Sequence, residues 1–182
     1  MPTSSDLVVE TGDGLLDANS YLSIPDADTY HALRGNTLWD AASTSDKVIA
    51  LVRATAYIDQ RWKFQSVVSS DAQALEFPRS AIYDSREVDQ SDTVPNWIED
   101  ATAEYALAVI GEGTGVVDLY PTPDQATSLN VTYERNKVDV IEQETHYDAS
   151  VGPRVRFSYP AADRIIRASG LTTSTSNGGV IR

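Results

Sequence analysis

The chain has no cysteine and only two histidines, His31 and His146. The first absence excludes a disulfide framework and any thiolate nucleophile or metal ligand. The second leaves little for imidazole chemistry. Neither histidine lies in an H-E-x-x-H frame, and no G-x-S-x-G serine is present for one to activate. His31 is expected on the surface of the first helix, and His146 in or after a strand. Basic residues are scarce too: 14 lysines and arginines face 27 aspartates and glutamates, for a net charge of −13 and a pI near 4.4. Non-specific affinity for DNA comes mostly from Lys and Arg on phosphates. The composition therefore disfavours a protein that grips nucleic acid over its general surface, and suits one that DNA slides past. No apolar run approaches the roughly 18 residues of a membrane span. The start, Met1-Pro2-Thr3-Ser4-Ser5-Asp6, lacks the basic and apolar regions of a signal peptide. A soluble protein made in the cytoplasm is expected.

What is present is mainly helical. Pro95 suits the first turn of a helix, and Trp97, Ile98, Ala101 and Tyr105 share one side of it, with Glu99 and Thr102 turned away. Ala106 to Ile110 is apolar all round, as in a helix end enclosed on every side, and Gly111 and Gly113 stop it. An earlier helix begins at Ser23, with Pro25 in its first turn and Asp26 at a capping-box-like spacing, and ends at Gly35-Asn36. Asp26 and Asp28 read there as helix-dipole stabilisers. Between them a helix runs from about Ser45 to Trp62, its apolar face formed by Val48, Leu51, Val52, Thr55, Ile58 and Trp62. Asp59 falls on that apolar side and needs a partner. Arg79, in Phe77-Pro78-Arg79, is the candidate, as a structural ion pair.

The stretch from Phe64 to Val94 has no sustained period. Its acidic loop (Asp84, Glu87, Asp89, Asp92) matches no calcium-loop spacing, so no metal is expected. Gly111-Glu112-Gly113-Thr114-Gly115 follows a helix and misplaces its third glycine, which excludes a dinucleotide cradle and leaves no cofactor implied. The period then changes to two: Leu129, Val131 and Tyr133 alternate with polar neighbours, as do Val138 and Val140. A hairpin turning at Arg135-Asn136 fits, and one long strand is the alternative. Val155, Phe157 and Tyr159 could add a third strand. A short helix follows over 161–168, closed by Gly170.

This gives one domain over residues 1–168: a helical core at about 23–112, a β-rich arm at about 128–159 and the short helix. The tail, 169–182, is low in apolar content and ends in a small hydrophobic hook. Alone it should be disordered; against a partner, Val180 and Ile181 would anchor and Arg182 would make a charge contact. Arg154 and Arg156 beside Phe157, with Arg164 and Arg167, form the one modest basic cluster, read as a contact to an acidic neighbour. With no nucleophile beside a base, the chain is expected not to be an enzyme.

Several ordered segments carry a family likeness. They are Val9-Glu10-Thr11-Gly12-Asp13-Gly14-Leu15, Ala18-Asn19-Ser20-Tyr21-Leu22-Ser23, Ala27-Asp28-Thr29-Tyr30, Arg34-Gly35-Asn36 and Trp39. Further on come Ala54-Thr55-Ala56-Tyr57-Ile58-Asp59, Leu75-Glu76-Phe77-Pro78-Arg79 and Val94-Pro95. The set resembles a phage family labelled DnaT-like single-stranded-DNA-binding protein, whose members look like head–tail adaptor (connector) proteins of tailed phages. The resemblance implies a helical bundle with a β-hairpin arm, assembled as a homo-oligomeric ring of twelve copies in the virion neck. Such a ring would sit below the portal protein and extend the channel through which double-stranded DNA passes without specific binding. It would also dock the next neck or tail protein. The segments between Leu129 and Tyr147 are then expected to add strands to a neighbour, and the tail to reach the portal. The rival class is a single-stranded-DNA-binding replication protein, which needs a basic surface with stacking aromatics. An assembly or scaffolding factor is a third reading.

Overall fold

The computed structural model describes residues 1–84, 86–111, 116–120, 131–137, 142–147 and 159–173. Within them the chain is mainly helical, with one longer hairpin, in keeping with the class read from the sequence. A 3₁₀ turn, Ser4–Asp6, precedes α1 (Ile24–Arg34), α2 (Thr37–Ala41), α3 (Thr44–Arg61), the two-residue strands β1 (Val67–Val68) and β2 (Arg79–Ser80), and α4 (Asn96–Ile110). Then come β3 (Val131–Lys137), β4 (Glu142–Tyr147) and α5 (Pro160–Ala168). The contacts form two compact units, Met1–Leu119 with Tyr159–Arg182, and Tyr120–Ser158.

The helix ends follow from local chemistry. Ser23 caps α1 by accepting the Asp26 N–H, and Ser43 caps α3 through Asp46 in the same way. Gly35 ends α1 at φ +67°, a left-handed conformation that favours glycine. Pro95 is the N-cap of α4 and Gly111 its C-cap. α4 packs against α3 and against α5, so it is the shared wall of the core. Ile98, Ala101, Tyr105, Ala106 and Val109 are fully buried there. Thr102, expected to face outward, is buried as well; its hydroxyl donates to the Ile98 carbonyl at 2.8 Å, which satisfies it inside the helix.

Two aromatic clusters fill the gaps around α4. Phe77, reached through a cis Phe77–Pro78 bond, packs edge-on against Phe64, Trp97 and Tyr21 at centroid distances of 4.9, 5.6 and 6.3 Å. Tyr57, Tyr105 and Tyr159 form a second set at 5.0 to 5.7 Å. Edge-to-face geometry suits the ring quadrupoles.

Near the N-terminus, the Glu10 carboxylate accepts from the Gly12, Gly14 and Leu15 N–H groups and shapes the turn at Gly12-Asp13-Gly14. Just before it, Val9 forms an isolated bridge to Ser20.

The second unit holds the antiparallel pair β3–β4. Arg135 pairs with Glu144 and Asn136 with Gln143, so the expected turn residues lie within the strand. The ladder continues to the Lys137–Glu142 pair, and Val138 and Val140, expected on the next run, lie outside the described residues. The third strand proposed over 155–159 lies outside the described residues except for Tyr159, which is the N-cap of α5.

Candidate functional site

The most distinctive surface lies where α3 ends and α5 passes it. The sequence there reads Arg61-Trp62-Lys63, a cation on each side of a tryptophan. Arg61 is the last residue of α3, and Trp62 takes an extended backbone (φ −103°, ψ 146°) that turns the chain off the helix. The indole is half-buried, and its Nε1–H donates to the Tyr105 hydroxyl at 3.1 Å. Tyr105 in turn donates to Asp163 Oδ1 at 2.6 Å, and Arg61 donates to Asp163 Oδ2 at 2.8 Å. Burial and the adjoining carboxylate push the Tyr105 phenol pKa well up, which keeps it a donor. A buried carboxylate on α5 therefore fixes both the ring and the guanidinium next to it.

Two guanidinium groups lie close to that ring. Arg61 lies 5.4 Å and Arg167 5.6 Å from the Trp62 centroid, within cation–π range. The Arg167 side chain is 66 % exposed and 3.8 Å from Asp163. Lys63 and Arg164 are exposed and form no ion pair among the described residues. The Lys63 carbonyl accepts from the Thr173 N–H at 2.7 Å, and Phe64 bridges Thr172, so the chain past α5 lies alongside this segment. Cations and a half-buried aromatic ring thus meet on a body of opposite charge.

The residues singled out in the sequence fare differently. Asp59 and Arg79 do not form the expected pair. The Arg79 guanidinium bonds Glu76 at 2.7 Å and the Gln65 and Ser66 carbonyls, while Asp59 accepts from the Tyr21 hydroxyl at 2.6 Å and the Glu76 N–H at 3.3 Å. Glu76 lies between them in the chain of bonds: it is three residues from Arg79 and so nearer to its guanidinium. With no cation bonded to it among the described residues, burial pushes the Asp59 pKa up to about 7. His31 is not on the surface. It is 1 % exposed, stacks 4.6 Å from Trp39, and burial lowers its pKa to about 4. Asp28 serves a tertiary contact, accepting from Trp39 Nε1 at 2.7 Å and Lys47 at 2.8 Å.

Arg154, Arg156, Val180, Ile181 and Arg182, proposed as partner contacts, and His146's side chain lie outside what is described. Of the basic cluster, the structure places Arg164 and Arg167 on α5 and brings Arg167 to Trp62. Sequence reasoning passed over Trp62 as a core residue. The contiguous Arg-Trp-Lys triplet was the signal that could have marked it.

Fold and surface together define a small, mainly helical protein that presents an aromatic platform flanked by cations. The model of the family described as "Putative DnaT-like ssDNA binding protein" matches residues 5–182, and the chain belongs to that family. Comparisons with curated proteins and with solved structures found no match. The match corrects the expectation of a virion neck component that binds a portal. What it supports is the rival reading, single-stranded-DNA binding, and nothing in it bears on a ring, a connector or genome packaging.

Proposed function

We propose that this chain binds single-stranded DNA, with Trp62 as its stacking platform, and that it works by binding alone, without catalysis or cofactor. The family description supports the ligand class. The observation that carries the placement is the half-buried Trp62 ring with the Arg61 and Arg167 guanidinium groups close to it and its nitrogen tied to Tyr105. An unpaired base has a free π-face, and an aromatic ring or a guanidinium plane can stack on it without regard to sequence. Duplex DNA keeps its bases stacked and offers mainly phosphates, which the net charge of −13 repels. Lys63, Arg164 and Arg167 are the cations positioned to meet a strand's phosphates. Engaging about three phosphates gives a log–log salt slope near −2 for a single strand, shallow for a nucleic-acid-binding protein.

The test is fluorescence anisotropy of a labelled single-stranded oligonucleotide at low and moderate salt. Binding with that slope is expected, weakened about tenfold or more by Trp62→Ala and several-fold by Arg167→Glu. No binding at low salt, or binding unchanged in both variants, overturns the reading.

A further inference from the structure

Beyond the Trp62 platform, α5 borders a groove around Trp97. One lobe, 430 Å³, lies among Trp97, Ile165, Ala168 and Ser169; the other, 480 Å³, reaches Gln90, Asn96 and Asp100. Asp84, Arg86 and Trp97 line both. The groove adjoins the platform. Trp62 and Phe64 are alternate residues of one extended segment, about 7 Å apart, and the Phe64 and Trp97 rings lie 6.0 Å from each other. α5 spans the interval, with Arg167 over Trp62 and Ala168 in the groove.

The groove's chemistry differs from the platform's. Asp84 is already engaged by the Arg86 guanidinium at 3.0 Å and by the N–H groups of Arg86 and Val88. The side chains of Gln90, Asn96 and Asp100 make no hydrogen bond among the described residues, and the Trp97 Nε1–H is buried without a partner. Two carboxylates make this a poor seat for a phosphate. They suit a base edge that carries an amino group, because a carboxylate accepts from cytosine N4 and would oppose the thymine O4. Amide side chains can complete such an edge as donors or acceptors.

We propose that this groove is a nucleobase subsite that takes a base of the strand held at Trp62 and prefers cytosine to thymine through Asp100. The inference rests on the single-strand reading of Trp62 and adds a base preference to it.

The full-length chain is titrated at pH 7.5 with labelled oligo(dC) and oligo(dT). Wild type is expected to bind oligo(dC) roughly tenfold more tightly. Asp100→Ala, and separately Asn96→Phe, which fills the Asp100 lobe from the exposed first residue of α4, should bring oligo(dC) down to the oligo(dT) level without weakening oligo(dT). Equal binding of the two oligomers by wild type, or a preference that survives both variants, overturns the subsite. If Trp62→Ala abolishes binding while wild type shows no preference, the subsite alone falls. If wild type binds neither oligomer, the subsite and the platform fall together.

Discussion

Two carboxylates sit at the edges of the helical core in different company. Asp163 on α5 bonds a guanidinium, Arg61, and a phenol, Tyr105; Asp59 on α3 bonds a phenol, Tyr21, and a backbone N–H. Both are approached by an aromatic hydroxyl at 2.6 Å. Among the described residues, only the first has a cation bonded to it. The contrast shows how a similar motif serves two ends. With its own cation, Asp163 fixes a charged, outward arrangement around Trp62. Without one, Asp59 ties α3 to the loop that carries Glu76 and Phe77, and it holds a proton near neutrality.

The largest way to break this comparison is Asp163→Ala. It strips the carboxylate from an Arg61 side chain that is only 17 % exposed, and the expected loss is about 3 kcal/mol of unfolding free energy. Urea denaturation reads it, and a loss below about 1 kcal/mol would mean Arg61 is held from elsewhere. Tyr21→Phe comes next. It removes the donor to Asp59 and the acceptor of the Phe77 N–H (3.2 Å), for about 2 kcal/mol by the same measurement.

The pH profile sharpens the contrast further. Between pH 3.8 and about 7 the folded state keeps the Asp59 proton that the unfolded chain has released, so this group's contribution falls as pH rises through that window. Glu99 and Asp100, also raised by burial, act with the same sign. His31 acts in the opposite sense: with its folded pKa lowered to about 4, it contributes above pH 6.5 and loses that contribution as pH falls towards 4. The terms offset each other in wild type. Asp59→Asn should uncover the histidine, so that stability drops more steeply from pH 6.5 to 4 than in wild type. Parallel profiles would show that Asp59 is ionised throughout. The smallest effect belongs to a control outside both regions. Gly35→Ala meets no atom within 4 Å yet keeps φ at +67°, and should lower stability by about 1 kcal/mol through backbone strain alone.

Much of the helical framework is legible in the sequence. α1, α3, α4 and α5 fall within a residue or two of their expected ends, because Ser23, Pro95, Gly35 and Gly111 punctuate the chain through local backbone chemistry. The helix α2 was not legible. It is a single turn, Thr37–Ala41, too short to show a period, and is placed by burial of Trp39. The hairpin was visible in its alternation, but its turn was misplaced, since period two does not say where pairing ends. The candidate site was half legible: Arg61, Trp62 and Lys63 are neighbours in the chain, whereas Asp163 and Arg167 join them only through packing of α5.

The sequence by itself determined the helices, their caps, the two-residue alternation of the arm and the acidic balance, because each depends on groups a few residues apart or on a simple count. Tertiary structure decided which charges meet. Glu76 takes the arginine expected for Asp59, and His31 goes inside, because partner choice for a buried group depends on distances through space among segments far apart in the chain.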